Sequence, residues 1–195
     1  MSNEDEPMTT TRARLIIVSA PSGAGKSSFV ERAARELPHL RDTVTYTTRA
    51  IRAGEAEGNP YHFVSSERFV ELRAADFFVE WAVVHENLYG TPMNQLTEAW
   101  AQGKTIIMDI DVQGAATFKR KFSDAVTIFI LPPSIEELRR RVTKRDGRAP
   151  ADLDLRMANA QKELAHAPEF DVQLVNDNFD ISYGQFKKII EDLTS

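Results

Sequence analysis

The amino-acid sequence predicts an α/β domain built on a parallel sheet with helices over both faces. Three observations carry that prediction. A short apolar run near the start leads through a glycine-rich turn into a segment of helical spacing. Strand and helix patterns alternate again from residue 105 to residue 193, and residues 44–92 between them break the alternation as a small mixed α+β insertion would.

Each element has its own justification. Leu15-Ile16-Ile17-Val18 is continuously apolar and β-branched, as a strand buried on both faces requires. Residues 20–25 supply a Gly/Ser/Pro turn; residues 27–37 place Phe29, Val30, Ala33, Ala34 and Leu37 at helical spacing, and Pro38 stops the helix. In the middle, residues 44–46, 61–64 and 77–85 read as short strands, with one helix over residues 66–74. Such an insertion belongs over the carboxyl edge of the sheet, where ligands bind in open α/β folds. Residues 105–108 form the next buried strand, 112–120 a helix, and 125–131 a strand closed by Pro132-Pro133. Ser134-Ile135-Glu136-Glu137 has the form of a capping box, a hydroxyl at the cap and a carboxylate at the third helical position, before a helix to about residue 145. A helix over 152–166, a strand over 172–175 and an amphipathic helix over 181–193 complete the pattern.

The 195 residues suit one domain, and a hydrophobic share of 42% with 27% charged residues is enough to bury a core without staples. With no cysteine, disulfides, thiolate catalysis and Cys-ligated zinc are excluded. The net charge of −5 argues against general duplex-DNA binding. No apolar run approaches the roughly 18–20 residues that span a bilayer. Residues 1–11 are polar and acidic without the apolar stretch of a signal peptide, so a flexible tail on a cytoplasmic protein is expected.

The strongest chemical signal is Ala20-Pro21-Ser22-Gly23-Ala24-Gly25-Lys26-Ser27. Set between strand and helix, Gly23 and Gly25 let backbone N–H groups turn inward around phosphate oxygens, and the helix N-terminus adds partial positive charge. Lys26 can reach the β- and γ-phosphates, and the Ser27 hydroxyl can ligate Mg²⁺. No Asn-Lys-x-Asp motif of a GTPase switch is present, and the Thr-Lys-x-Asp string Thr143-Lys144-Arg145-Asp146 falls in the basic run at the end of a predicted helix, not after a strand where a GTPase reads its base. Asp109 and Asp111, two apart at the end of the 105–108 strand, leave on one face, where a carboxylate could orient Mg²⁺; the plainer alternative is a pair of solvated strand-end carboxylates.

Farther along stand Thr45-Tyr46-Thr47-Thr48-Arg49, Arg52, Gly54-Glu55, Tyr61-His62-Phe63-Val64, Phe78-Val79-Glu80-Trp81 and Tyr89-Gly90-Thr91. Singly, the arginines would be a solvated pair, the tyrosines core, and Glu80 a surface carboxylate. In this order, together with Ser19–Ser28, Asp109-Ile110-Asp111-Val112-Gln113-Gly114 and Leu131-Pro132-Pro133-Ser134, they resemble the guanylate kinase family over nearly the whole chain from about Arg14. The phosphate loop, Ala20 included, is of a form seen in bacterial members. Thr45, Ile51 and Pro60 stand where the family usually has Ser, Pro and Asp.

The resemblance implies Mg²⁺-dependent transfer of the γ-phosphoryl group of ATP to GMP, giving ADP and GDP. It divides residues 12–195 into a core of 12–43 and 93–195, a GMP-binding insertion of about 44–92, and a helical lid of about 141–156. ATP would be held by Ser22, Gly23, Ala24, Gly25, Lys26, Ser27 and Ser28, and the metal by Ser27 and Asp109. Arg49, Arg52, Tyr61 and Tyr89 would hold the acceptor phosphate; Thr45, Glu80 and Thr91 would read the guanine, with Asp111 facing the acceptor. Lys26, Arg141, Arg145 and Arg156 would neutralise charge during transfer. The partners implied are ATP and GMP, with neither nucleic acid nor membrane. The basic run Arg139–Arg148 could also be a nucleic-acid patch, but it is short and the chain is acidic. Two other readings stay open: a silent binding module of the same fold, against which Lys26 and the lid arginines speak, and a kinase of a phosphorylated sugar, against which Glu80 with Thr45 and Thr91 speaks.

Overall fold

The computed structural model describes residues 14–52, 54–84, 86–145 and 149–195. The expected 1–11 tail, His85 at the end of the third middle strand, and residues 146–148 of the lid lie outside the described residues. The chain runs β1 (Leu15–Ser19), α1 (Lys26–Glu36), β2 (Leu40–Asp42), β3 (Thr45–Thr47), β4 (Ala56–Glu57), β5 (Pro60–Phe63), α2 (Ser66–Ala74), β6 (Phe78–Val84), β7 (Asn87–Pro92), α3 (Met93–Ala101), β8 (Thr105–Asp109), α4 (Val112–Lys121), β9 (Val126–Leu131), α5 (Ile135–Arg145), α6 (Leu153–Ala165), β10 (Val172–Val175) and α7 (Phe179–Thr194).

The first sheet, in the order β10-β9-β1-β8-β2, is parallel throughout. Alternation along β1 divides the core in two. Ile16 and Val18 join Phe29 of α1, Leu138 and Val142 of α5, Met157 of α6 and Phe186 of α7. Leu15 and Ile17 join Leu96 of α3, Phe118 of α4 and Val79 of β6. Helices therefore cover both faces, as the apolar runs require. Among the described residues no helix is long and apolar enough to cross a membrane.

The second sheet, β4-β5-β3-β7-β6, is mixed: β3 and β5 run parallel, while β7 runs antiparallel to both β3 and β6. Across the two sheets the structure adds what spacing alone does not mark: the short strands β2 and β4, the strand β7, and α3. The capping box is half realised. The Ser134 hydroxyl accepts from the Glu137 amide at 3.1 Å, but the Glu137 carboxylate turns instead to Arg140 and Arg141, each at 2.7–2.8 Å.

Gly90 of β7 lies under two stacked rings, Phe69 of α2 and Phe78 of β6, whose centroids are 4.6 Å apart. A Cβ on residue 90 would come within 2.8 Å of the Phe78 ring and 2.9 Å of the Phe69 ring. Both neighbours, Tyr89 and Thr91, belong to the expected acceptor site, so this close approach sets where they stand. Gly90→Ala is expected to destabilise the fold by about 1–3 kcal/mol through overpacking. Urea unfolding checks it; an unchanged midpoint would mean the rings have room to yield.

Candidate functional site

The phosphate loop owes its shape to two left-handed residues, Gly23 at φ +91° and Gly25 at φ +96°. Gly23 also needs its missing Cβ, which would meet Val142 Cγ2 of α5 at 2.7 Å. From the far side the Asn176 amide donates to the Ala24 carbonyl at 2.9 Å, and the Asn176 backbone N–H donates to the Leu131 carbonyl at 2.7 Å. The loop is thus fixed against α5 and the end of β10. At the start of α1 there is neither a side-chain cap nor an acidic residue in the first turn, which leaves a helix N-terminus suited to an anion.

Asp109, at the end of β8, faces this loop. Its Oδ2 accepts from the Ser27 hydroxyl at 2.7 Å and lies 3.4 Å from Lys26 Nζ. A hydroxyl and a carboxylate converging in this way are the hard oxygen donors that Mg²⁺ takes from a protein when phosphates and water complete its shell. Asp111 caps α4, accepting from the Gly114 amide at 2.8 Å, and still borders the cavity.

That cavity, about 530 Å³, joins the loop to the second sheet. Ser22, Gly23, Gly25, Lys26, Ser27 and Ser28 line one end; Thr45, Tyr61, Glu80 and Tyr89 line the other; Asp109 and Asp111 stand between them. Ala24 is buried beneath the loop, and Thr91 is buried behind Glu80, to which its hydroxyl donates at 3.4 Å. Burial, reinforced by the neighbouring Asp111, pushes the Glu80 carboxyl up to about 7, against the pull of the Thr91 hydroxyl and Lys121. Burial also pushes the Tyr61 hydroxyl up to about 12, which keeps it a neutral donor.

The arginines stand apart from the lining. Arg49 is buried; its guanidinium donates to both Glu55 oxygens, at 3.0 and 2.8 Å, and to the Ala50 carbonyl at 2.8 Å, and lies 5.3 Å from the Tyr61 ring. Arg52 is exposed, and its amide donates to Glu55 at 2.8 Å. Arg141 donates to Glu137 at 2.8 Å and to the Asp177 carbonyl at 3.0 Å, and Arg156 to Asp152 at 2.9 Å. The side chain of Arg145 lies outside what is described.

Three lining carboxylates escape the motif reading: Glu163, Asp42 and the exposed Glu31 of α1 beside Asp42. Glu163 of α6 borders the main cavity, where burial and Asp111 raise its pKa and Lys26 opposes them. Asp42, at the end of β2, borders an adjoining cavity of about 160 Å³ that shares Ser27, Thr45, Tyr61 and Asp109. Its only sequence signal is a carboxylate just past an apolar residue, Leu40, on a strand too short to show a period.

Comparison with known proteins places these residues in a family context. The family model described as guanylate kinase matches residues 12–193. A guanylate kinase of Bdellovibrio bacteriovorus is 62% identical over 182 residues, covering 93% of this chain and 98% of its own. One of Oleidesulfovibrio alaskensis is 43% identical, covering 89% of this chain and 84% of its own. The crystal structure of guanylate kinase from Anaplasma phagocytophilum superposes with a TM-score of 0.78 at 30% identity, covering 94% of this chain and 87% of its own.

Burial, then the nearby Asp109, pushes the Asp42 carboxyl up to about 7, while the Thr43 amide opposes them. The folded state therefore holds this proton where the unfolded chain, with a carboxyl near ~3.9, has lost it. Stability from this group is full below the unfolded value and is lost as pH rises through about 7. The empty wild-type protein is expected to lose on the order of a few kcal/mol from pH 5 to 7.5, and Asp42→Asn to flatten that slope. Urea titrations at the two pH values check it; parallel behaviour of the two proteins would refute it.

Proposed function

The chain belongs to the guanylate kinase family, which moves the γ-phosphoryl group of ATP to GMP to give ADP and GDP, and from that premise we infer how its own residues divide the work. The observation that carries the reading is the single cavity joining the phosphate loop to Glu80. Residues 22–28 cradle the ATP phosphates, with backbone N–H groups and Lys26 supplying positive charge. Ser27 and Asp109 hold Mg²⁺, which when bound neutralises charge on the phosphate oxygens.

GMP occupies the other half, within the insertion of residues 44–92, with its base against Glu80. Guanine offers N1–H and an exocyclic amine side by side, two donors that suit one carboxylate. Those donors favour the ionised form, offsetting the burial that raises the Glu80 carboxyl. Thr45 and Thr91 supplement the contact, and Asp111 faces the acceptor from the α4 cap. Arg49, Arg52, Tyr61 and Tyr89 hold the phosphate. An oxygen of that phosphate attacks the γ-phosphorus while the bond to the bridging β–γ oxygen breaks and ADP leaves; no general base is needed. Closure of the lid, residues about 141–156 of the 12–195 domain, brings Arg141, Arg145 and Arg156 over the γ-phosphoryl group and excludes water. We place the enzyme in the cytoplasm with its two nucleotide substrates.

Lys26→Met is expected to lower kcat about 10²–10³-fold while the fold persists, since it removes one charge aimed at the transferring phosphoryl group. Near-normal turnover in a coupled ADP-release assay would overturn the phosphate-loop assignment. Glu80→Gln tests the base reading. Adenine has an acceptor where guanine has N1–H, and a site built on hydrogen bonds can reject such a mismatch by as much as about 10⁴–10⁵. The variant is expected to lose kcat/KM for GMP and to narrow the GMP-to-AMP ratio, measured with both acceptors at saturating MgATP. A wild-type ratio would mean that another group reads the base.

A further inference from the structure

Glu80 faces the cavity because β6 is irregular. Its ladder with β7 pairs Phe78 with Pro92 and then Glu80 with Thr91, so Val79 is an extra, unpaired residue. In a regular strand two successive side chains point to opposite faces. The bulge lets both turn inward: Val79 is 1% exposed in the core and Glu80 is 8% exposed at the cavity, while Trp81 and Val83 beyond it are exposed. A bulge also leaves backbone groups without a partner across the ladder, and a buried carbonyl so stranded is costly. At Val79 that carbonyl accepts a hydrogen bond from Lys121 Nζ.

Lys121 is the last residue of α4, the helix whose N-cap is Asp111. Its neighbours in the final turn are engaged elsewhere, Lys119 with Asp171 and the Ala125 carbonyl, Arg120 with the Thr117 hydroxyl. One helix thus sets a cavity carboxylate at its start and grips the bulge of the base-reading strand at its end. We propose that Lys121 is a positioning residue for guanine recognition: its ammonium satisfies the Val79 carbonyl, fixes the β6 bulge, and so aims Glu80 into the cavity. The inference rests on Glu80 reading the base.

The same ammonium acts on Glu80 through space. The groups facing that carboxylate are Asp111 from the start of α4, which disfavours its charge, and the Thr91 hydroxyl of β7 and Lys121, which favour it. Removing Lys121 therefore loosens the aim of Glu80 and makes its ionisation harder. Both effects fall on GMP and neither on the ATP phosphates.

The test compares Lys121→Met, Lys121→Arg and Glu80→Gln with the wild type. KM for GMP, KM for MgATP and kcat are measured from pH 5.5 to 8.5, with melting temperatures alongside. Lys121→Met is expected to raise KM for GMP about tenfold, the scale of losing a charged hydrogen bond, and to move the acid limb of kcat/KM for GMP to higher pH. KM for MgATP stays within about twofold, and Lys121→Arg, which keeps the charge and a donor, restores both readouts. If Lys121→Met leaves KM for GMP and the acid limb unmoved while Glu80→Gln destroys GMP recognition, this inference alone fails. Equal losses toward GMP and MgATP with a lowered melting temperature would make Lys121 merely structural and overturn it. If Glu80→Gln itself is silent, the base reading fails and the role of Lys121 falls with it.

Discussion

Everything in the site depends on holding one short loop, residues 20–25, in a conformation that side chains resist. Two of its residues have left-handed backbone angles, and at Gly23 even a methyl group would collide with Val142. Free, such a loop would populate many shapes, because glycine loses more conformational freedom on folding than any other residue. Here the contacts come from distant parts of the chain. Asn176, just past β10, ties the Ala24 carbonyl; Val142 closes over Gly23 from α5; Asp109, at the end of β8, binds the Ser27 hydroxyl. The parallel sheet makes this possible, since strands β1, β8, β9 and β10 all end on the same edge. Their carboxyl ends deliver a carboxylate, an amide and a helix to one point.

The second sheet solves the opposite problem. A phosphate loop wants positive charge and open backbone donors, whereas recognition of a base with two adjacent donors wants a carboxylate withdrawn from water. Glu80 is withdrawn far enough that burial raises its pKa to about 7. A ligand that returns hydrogen bonds to both oxygens would offset that desolvation fully, so in the proposed base site the penalty would become selectivity. The bulge of β6 and the close approach at Gly90 are the backbone devices that set this carboxylate where it meets the cavity and not the solvent.

The legible parts of the sequence were those whose physics is local. Leu15-Ile16-Ile17-Val18 and Thr105-Ile106-Ile107-Met108 declare buried strands without reference to anything else, and Gly25-Lys26-Ser27 between strand and helix declares its chemistry. What spacing does not mark depends on partners. The strands β2 and β4 have three and two residues, too few for a period, and exist because neighbours pair with them. Helix α3 begins directly after Pro92 with no side-chain cap, so its start carries no Ser, Thr, Asp or Asn signature. Glu163, Asp42 and Lys121 look like surface residues in the chain and gain meaning only from what the fold lays beside them. Resemblance named Glu80; that Val79 and Glu80 both turn inward follows from a register shift no sequence pattern shows.

The arrangement of the arginines explains how an acidic protein of net charge −5 can work on two anionic nucleotides. Three of the described arginines assigned to the phosphates already have a carboxylate close in sequence: Arg49 with Glu55, Arg141 with Glu137, Arg156 with Asp152. Lys26 has Asp109. The partly exposed pairs of Arg141 and Arg156 contribute only about 0–1 kcal/mol each, so they orient those guanidinium groups without locking them, whereas Arg49 is held with Glu55 largely out of water. A phosphate bearing more charge than one carboxylate, and presenting oxygens in the geometry of the guanidinium fork, competes well for the same donors. Because each carboxylate stays nearby after the exchange, the cation can return when product leaves. Cations with no such partners would bind phosphate more tightly and release it more slowly, whereas turnover requires that ADP and GDP depart. With the arginines in the roles proposed for them, the acidic residues beside them would enter the energetics of the cycle, and the net negative charge is compatible with a site that is locally positive where phosphate would sit.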